Sequence, residues 1–252
     1  MTPDEYVLGV VNKYRVPTGP GSLAHQVGQK ALPLLQEWAG RSLLGVTYSG
    51  SYAKGTAIRG GTDVDLFISL SPDTPGSLKD IYNALVRFLL GKSLAPRPQN
   101  VSVGLTFHSQ QIDLVPGRRQ SQTSTDHSLY RRKADTWTQT NVDKHVATVK
   151  NSGRLTEIMA TKIWRQVQKL DFPSFYLELT VIDALSGHRG GQLAANVAAV
   201  LHYLRDRFAG ARVVDPANTN NVISDDLTII DKLKVAAQAK LSLDGSWSHV
   251  IW

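Results

Sequence analysis

The chain of 252 residues contains no cysteine. This absence excludes disulfides, thiolate metal sites and a cysteine nucleophile. Long apolar runs are also missing, and none approaches the ~20 residues that span a bilayer. The first fourteen residues carry Asp4 and Glu5 and no apolar core, so no secretory leader is expected. A cytoplasmic location with no membrane partner is therefore the expectation. Acidic residues are outnumbered, 21 against 28 basic ones, which leaves a net charge of +7. That excess favours polyanionic partners such as nucleotides or nucleic acid. The tight basic clusters are Arg118-Arg119 and Arg131-Arg132-Lys133. No internal repeat or low-complexity tract occurs. Hydrophobic content of 42% and charged content of 19% fit a folded globular protein, with length for one large domain or two small ones.

The pattern changes along the chain. Residues 22–38 read as a helix capped by Ser22, with Pro33 expected to kink or break it. Residues 44–48 read as a strand running into a tight Gly50-Ser51 turn. A second strand spans 64–70. Ser77 to Leu90 reads as an amphipathic helix with Ile81, Leu85, Phe88 and Leu89 on one side. Val101, Val103, Leu105 and Phe107 alternate as in a half-buried strand. His108-Ser109 reads as a turn, and 111–115 as a strand stopped by Pro116-Gly117. The polar span 121–135 reads as a linker. Beyond it, 155–170, 174–185, 193–208 and 225–239 have helical patterning, the last capped by Ser224. Residues 215–222 are rich in turn formers. The fold class expected is α+β: a small mixed β-sheet with helices, packed on a C-terminal helical half.

Certain residues break these patterns. Asp63 and Asp65 are one residue apart at a strand, which points both to one face. Two such carboxylates repel unless a cation lies between them, and Mg²⁺ prefers one or two carboxylates plus phosphate oxygens. The Gly50-Ser51 turn just upstream can offer N–H groups and a hydroxyl to phosphate. Asp113 lies between Ile112 and Leu114 in an apolar strand. Standing alone it reads as an edge residue; on a strand beside Asp63 and Asp65 it completes a two-metal site. Lys162 falls within the apolar arc of its helix, with Arg165 at the edge. A snorkelling stem competes there with a phosphate-facing role. Glu178 sits on a helix apolar nearly all round and needs a cationic partner, for which Lys162 and Arg165 are the candidates.

Gly50-Ser51, Lys54-Gly55-Thr56, Asp63-x-Asp65 and Ile112-Asp113-Leu114-Val115-Pro116 together resemble the DNA polymerase β-type nucleotidyltransferase superfamily. The stretch Trp137 to His145, the helix bearing Lys162, Pro173 to Leu179, and Asp215 to Val222 resemble one branch of it. That branch holds the 2′-5′ oligoadenylate synthetases, the bacterial cyclic-oligonucleotide synthases and the archaeal-type CCA-adding enzymes. The resemblance implies a nucleotidyltransferase core over residues 1–135, a helical nucleotide-binding subdomain over 136–252, and an active site in the cleft between them. Asp63, Asp65 and Asp113 would be catalytic and would hold two Mg²⁺ ions, with Mn²⁺ as a substitute. Gly50, Ser51, Lys54, Lys162, Arg165, Ser174, Tyr176 and Asn221 would bind the nucleotide. The implied reaction moves a nucleoside monophosphate from an NTP, ATP first, to a hydroxyl with release of pyrophosphate. A short linear or cyclic oligonucleotide signal for bacterial antiviral defence is the leading product. An RNA 3′ end such as that of tRNA is the alternative acceptor, RNA could also serve as activator, and an inactive nucleotide- or RNA-binding module ranks third.

Overall fold

In the computed structural model, which describes residues 1–61 and 63–252, the chain opens with helix α1 (Pro3–Tyr14) and α2 (Leu23–Ala39). Strand β1 (Leu43–Tyr48) and the one-turn helix α3 (Gly50–Lys54) follow, then β2 (Val64–Leu70) and α4 (Leu78–Gly91). Five strands come next: β3 (Arg97–Pro98), β4 (Val103–Phe107), β5 (Gln110–Arg119), β6 (His127–Arg131) and β7 (Thr136–Thr140). Helices α5 (Val142–Lys150), α6 (Leu155–Val167), α7 (Ser174–Ala184) and α8 (Leu193–Asp206) succeed them. The small hairpin β8 (Val214–Asp215) and β9 (Asn218–Val222) precedes α9 (Ile229–Leu243) and α10 (Trp247–Val250). The fold is mixed α+β, as expected.

Contacts divide the chain into two compact units. One comprises Pro17–Ala53 and Asp63–Val146 and is built on a seven-stranded mixed sheet in the order β1-β2-β5-β4-β3, with β6 joining β5 and β7 joining β6. Strands β2 and β5 are parallel, while β1/β2 and β4/β5 are antiparallel. Val64, Leu66, Ile68 and Leu70 alternate onto one face of β2, with Ile112 and Leu114 beside them on β5. They form a core with Ala24, Val27, Ala31 and Leu35 of α2 and Ile81, Tyr82, Leu85 and Leu89 of α4. Ser77 caps α4 in a capping box with Asp80, and the Ser22 hydroxyl accepts from the His25 N–H to start α2. Pro33 does not break α2. It lies on the exposed side with Gln29, whose carbonyl loses its helical partner to the proline ring and meets solvent.

The turn expected at His108-Ser109 is present, and the remaining differences have local causes. His108 and Ser109 both take positive φ, 46° and 63°, and close a two-residue hairpin between β4 and β5, whose last pair is Phe107↔Gln110. Strand β5 continues through Pro116-Gly117 instead of stopping there. The β4 ladder ends at Leu114 and the β6 ladder begins at Arg118, so Pro116 lies where that edge is unpaired, and a proline is tolerated. Gly117 is required for a different reason. A Cβ there would lie 2.5 Å from the Phe67 ring and 3.0 Å from Leu129. The bare backbone lets side chains from β2 and β6 meet across β5: His127 stacks edge-on to Phe67 and bonds the Ser69 hydroxyl at 2.8 Å. The polar span read as a linker thus contains a strand.

The other unit comprises Met1–Val16, Lys54–Thr62 and Ala147–Trp252. Its core gathers Val7, Val10 and Val11 of α1 with Ile158, Ile163 and Trp164 of α6, Leu177 and Val181 of α7, and Val197, Val200 and Leu204 of α8. Helix α9 starts at Ile229 with Thr228 as its cap. The preceding Ile223–Asp226 is a 3₁₀ turn that buries Ser224, so Ser224 does not cap the long helix. The turn-rich segment at 215–222 folds as the β8/β9 hairpin, where the Asp215 carboxylate accepts from the Ala217 N–H and the Asn221 amide.

Candidate active site

In the sheet unit, Asp65 and Asp113 are Cα partners in the parallel ladder between β2 and β5. Residues directly opposite one another share a face. Their neighbours Val64, Leu66, Ile112 and Leu114 are buried in the core on the other face, so both carboxylates project from the side away from it. Asp63 stands exposed just ahead of β2. Its charge reaches Asp113: burial pushes the Asp113 carboxyl above the usual range, and Asp63 pushes it the same way. Gln99 and Arg97 work against that shift. The Gln99 amide donates to Asp113 Oδ1 at 2.9 Å, and the Ser102 hydroxyl donates to the Gln99 side-chain oxygen at 2.9 Å. This relay aims the Asp113 carboxylate. Nothing in the sequence pattern singled out Gln99 or Ser102, because the pairing of β3 with β4 is what brings them to Asp113.

The turn out of β1 closes the other side. Gly50 has φ of +56°, a conformation that glycine adopts without the Cβ penalty. A Cβ there would fall 1.7 Å from Asp65 Oδ2. The backbone of the Gly50-Ser51 motif therefore rests directly against a strand carboxylate, and the Ser49 N–H donates to the Asp65 carbonyl at 2.9 Å. The expected tight turn is in fact the start of α3.

Two observations bear on a cation at these acids. The donor set is three carboxylates, which suits a hard divalent ion. Asp63 also raises Asp113 electrostatically, a repulsion that a bound cation relieves. Among the described residues, no group of three or more His, Cys, Asp or Glu side chains is already gathered in a ligand cluster. The juxtaposition here is pairwise, Asp65 with Asp113 by register and Asp63 with Asp113 by charge. The donor chemistry fits the implied ions.

The other expected nucleotide-binding residues lie in the helical unit, and most are engaged there. Glu178 is fully buried and takes Lys54 Nζ at 2.8 Å on one oxygen and Lys162 Nζ at 2.9 Å on the other. The Thr56 hydroxyl donates to the Lys162-facing oxygen at 2.6 Å. Burial works to raise the Glu178 carboxyl, but Lys162, Lys54 and the Thr56 hydroxyl outweigh it and hold it down to about 2. The Lys54 ammonium also lies 4.1 Å from the centre of the Phe175 ring. Lys162 is 2% exposed, so it neither snorkels to water nor presents an open ammonium. The Glu178 partners are thus Lys54 and Lys162. Arg165 instead donates to the Phe172 carbonyl at 2.6 Å and the Ser174 hydroxyl at 3.0 Å. Tyr176 is fully buried against Phe172 and Phe208. Burial, with Asp225 and Asp226, pushes its hydroxyl up to about 12. The Asn221 amide donates to Asp215 Oδ2 at 3.1 Å within the hairpin.

Residues 34–150 match the family model of the nucleotidyltransferase domain. That domain and the fold are those of a nucleotidyltransferase enzyme. Its fold is that of the bacterial cyclic-oligonucleotide synthases. The structure of Bradyrhizobium diazoefficiens CD-NTase CdnG in complex with GTP is similar with a TM-score of 0.78 at 13% identity, covering 97% of this chain and 91% of that one. Escherichia coli MS115-1 CdnC with ATP is similar with a TM-score of 0.74 at 20% identity, covering 95% and 90%. Elizabethkingia meningoseptica CdnE cyclic dinucleotide synthase, with GTP and Apcpp, gives 0.72 at 14%, covering 97% and 100%. No curated protein matches the sequence significantly. Among the described residues, no helix is long and apolar enough to cross a membrane.

Proposed function

We propose that the chain transfers a nucleoside monophosphate from an NTP to a hydroxyl and builds a short linear or cyclic oligonucleotide. One observation carries the reading: Asp65 and Asp113 stand side by side on parallel strands while the Gly50 backbone leans on Asp65. The nucleotidyltransferase domain match and the ATP- and GTP-bound relatives support it, with ATP the first substrate to try. Asp63, Asp65 and Asp113 would hold two Mg²⁺ ions, or Mn²⁺ in their place, which supply positive charge to the phosphate oxygens. Gly50 and Ser51 bind the triphosphate through the backbone N–H groups and the hydroxyl. Asp113, aimed by Gln99, faces the attacking hydroxyl. The hydroxyl oxygen bonds to the α-phosphorus, the bond from that phosphorus to the bridging oxygen breaks, pyrophosphate leaves, and the hydroxyl proton is released. A role in bacterial antiviral defence, in the cytoplasm, is proposed on the likeness of fold.

The test is incubation with each labelled NTP and Mg²⁺ or Mn²⁺, with and without tRNA, followed by mass determination of the products. Small oligonucleotides support the reading. Label found only in RNA transfers the activity to an RNA acceptor, and label left wholly in NTP refutes catalysis.

A further inference from the structure

Within the sheet unit, register lines up one residue from each of four strands. Asp65 of β2 is opposite Asp113 of β5, Asp113 is opposite Gly104 of β4, and Gly104 is opposite Arg97 of β3. Residues directly opposite one another share a face, so Arg97 lies in one row with the two acids and on their side of the sheet. The Gly50-Ser51 motif follows β1, the partner of β2, and so stands at the Asp65 end of this row. Arg97 stands at the other end, on the last strand of the order. The row between Arg97 and Asp113 is bare. Gly104 has no side chain, and a Cβ there would lie 2.6 Å from the Gln99 amide nitrogen and 3.1 Å from Asp113 Oδ1.

Arg97 is exposed, yet its head is anchored. Nη1 donates to the Thr106 hydroxyl at 3.4 Å, and Nη2 donates to the Gln111 side-chain oxygen. The Gln111 amide donates in turn to the Thr106 hydroxyl at 3.0 Å. A guanidinium has five N–H donors, so this tie leaves three for a ligand. Its charge is felt at the acid, where Arg97 draws the Asp113 carboxyl down against burial and Asp63. The plainest reading is an edge-strand charge that deters pairing with another sheet. That reading has no use for the bare Gly104 floor, the anchored guanidinium or its place in line with the acids.

We propose that Arg97 binds a phosphate of the acceptor nucleotide, the one whose hydroxyl attacks the donor. The proposal rests on the reading above for the reaction. With the donor triphosphate at Gly50-Ser51 and the attacking hydroxyl at Asp113, the rest of the acceptor extends over Gly104 toward β3. A nucleotide carries its 5′-phosphate one sugar ring away from its 2′ and 3′ hydroxyls. Strands about 4.8 Å apart put the Arg97 Cα about 10 Å from that of Asp113, a span that a ribose and an arginine side chain fill together. The guanidinium fork matches phosphate oxygens with paired hydrogen bonds. The acceptor so defined bears phosphate, as a free nucleotide or as the last nucleotide of an RNA.

The experiment gives the full chain α-labelled 2′,3′-dideoxy-ATP, a donor with no 2′ or 3′ hydroxyl of its own, and varies the acceptor among AMP, adenosine and a short oligoribonucleotide. Wild type is compared with Arg97→Gln and Arg97→Lys, each checked by its melt. Expected is a wild-type KM lower for AMP than for adenosine. In Arg97→Gln the KM for AMP rises about tenfold or more beyond any change for adenosine, the loss of one charge-assisted contact. Arg97→Lys, which keeps the charge without the fork, shows a smaller rise. The same loss carried by the oligoribonucleotide in place of AMP supports the contact with RNA as its source. Equal changes for AMP and adenosine, the mark of a merely structural edge residue, overturn the proposal. So does an unchanged KM for both phosphate-bearing acceptors, or a rise confined to the donor. Calorimetric titration of the metal-free chain with AMP and adenosine needs no turnover. A preference for AMP that Arg97→Gln loses supports the contact, and the same preference in both proteins overturns it. An inert wild-type chain would defeat the transferase reading separately and leave the calorimetry to decide on Arg97.

Discussion

Replacing Gly50 by alanine separates catalytic geometry from stability. The residue sits at φ of +56°, where an L side chain costs about 1–2 kcal/mol. For a chain of this size that corresponds to a melting temperature lower by roughly 2–8 °C. The larger effect is steric. The new methyl would lie 1.7 Å from Asp65 Oδ2 and 2.5 Å from its carboxyl carbon, so the carboxylate must swing away by about 1 Å or more, a displacement on the order of 100-fold in rate. The assay is pyrophosphate release at saturating NTP, run beside a thermal melt. Gly45→Ala is the control: it lies on β1, and a Cβ there meets nothing within 4 Å. The expected result is a folded Gly50→Ala protein with a small loss of melting temperature and a large loss of rate, while Gly45→Ala keeps its rate. An undiminished rate in Gly50→Ala would refute the placement of the Gly50 backbone against a catalytic carboxylate.

Other consequences follow from the same contacts. Gly117→Ala places a methyl 2.5 Å from Phe67 and 3.0 Å from Leu129, overpacking that costs about 1–3 kcal/mol and is read as a lower denaturation midpoint. Melting temperature should fall on acidification in two stages. Burial holds His127 below its ordinary 6.5, so the unfolded chain binds more protons there and stability declines as pH drops below 6.5. Glu178, held at about 2 against an ordinary 4.5, contributes stability that is present above 4.5 and is lost as pH falls from there toward 2. The raised Asp113 carboxyl works in the opposite sense near its ordinary 3.8. A melt series on His127→Gln should lack the first stage, and a two-stage decline identical to wild type would contradict that assignment.

Much of the fold was legible because short-range signals agreed. Ser22 announced α2 as its cap, the apolar side of Ile81, Leu85, Phe88 and Leu89 announced α4, and the apolar alternation of Val103, Leu105 and Phe107 announced β4. Other elements were masked by conflicting or distant signals. The first helix, α1, went unread although Thr2 and Glu5 form a capping box and Val7, Val10, Val11 and Tyr14 recur at helical spacing. Strand β6 hid in a polar span because its Ser128 and Arg131 alternate with buried His127, Leu129 and Tyr130, a pattern too short to stand out. Pro116 looked like a stop since a sequence does not tell where a sheet edge is unpaired. The acids were visible as residues, but their side-by-side register follows from strand order, which no local pattern encodes. The ion pair of Lys54 with Glu178 joins positions 124 residues apart. Glu178 was legible as an acid in need of a partner, and the folded chain supplied one that its own helix neighbourhood did not suggest.

The central claim is that Asp65 and Asp113, paired across parallel strands, form the heart of a nucleotidyl-transfer site. Its most direct measurement is pyrophosphate release from each NTP with Mg²⁺ by wild type, Asp65→Asn and Asp113→Asn, each verified as folded by its melt. Release by wild type and its loss in both variants is the predicted result; release that survives in either folded variant would contradict the account.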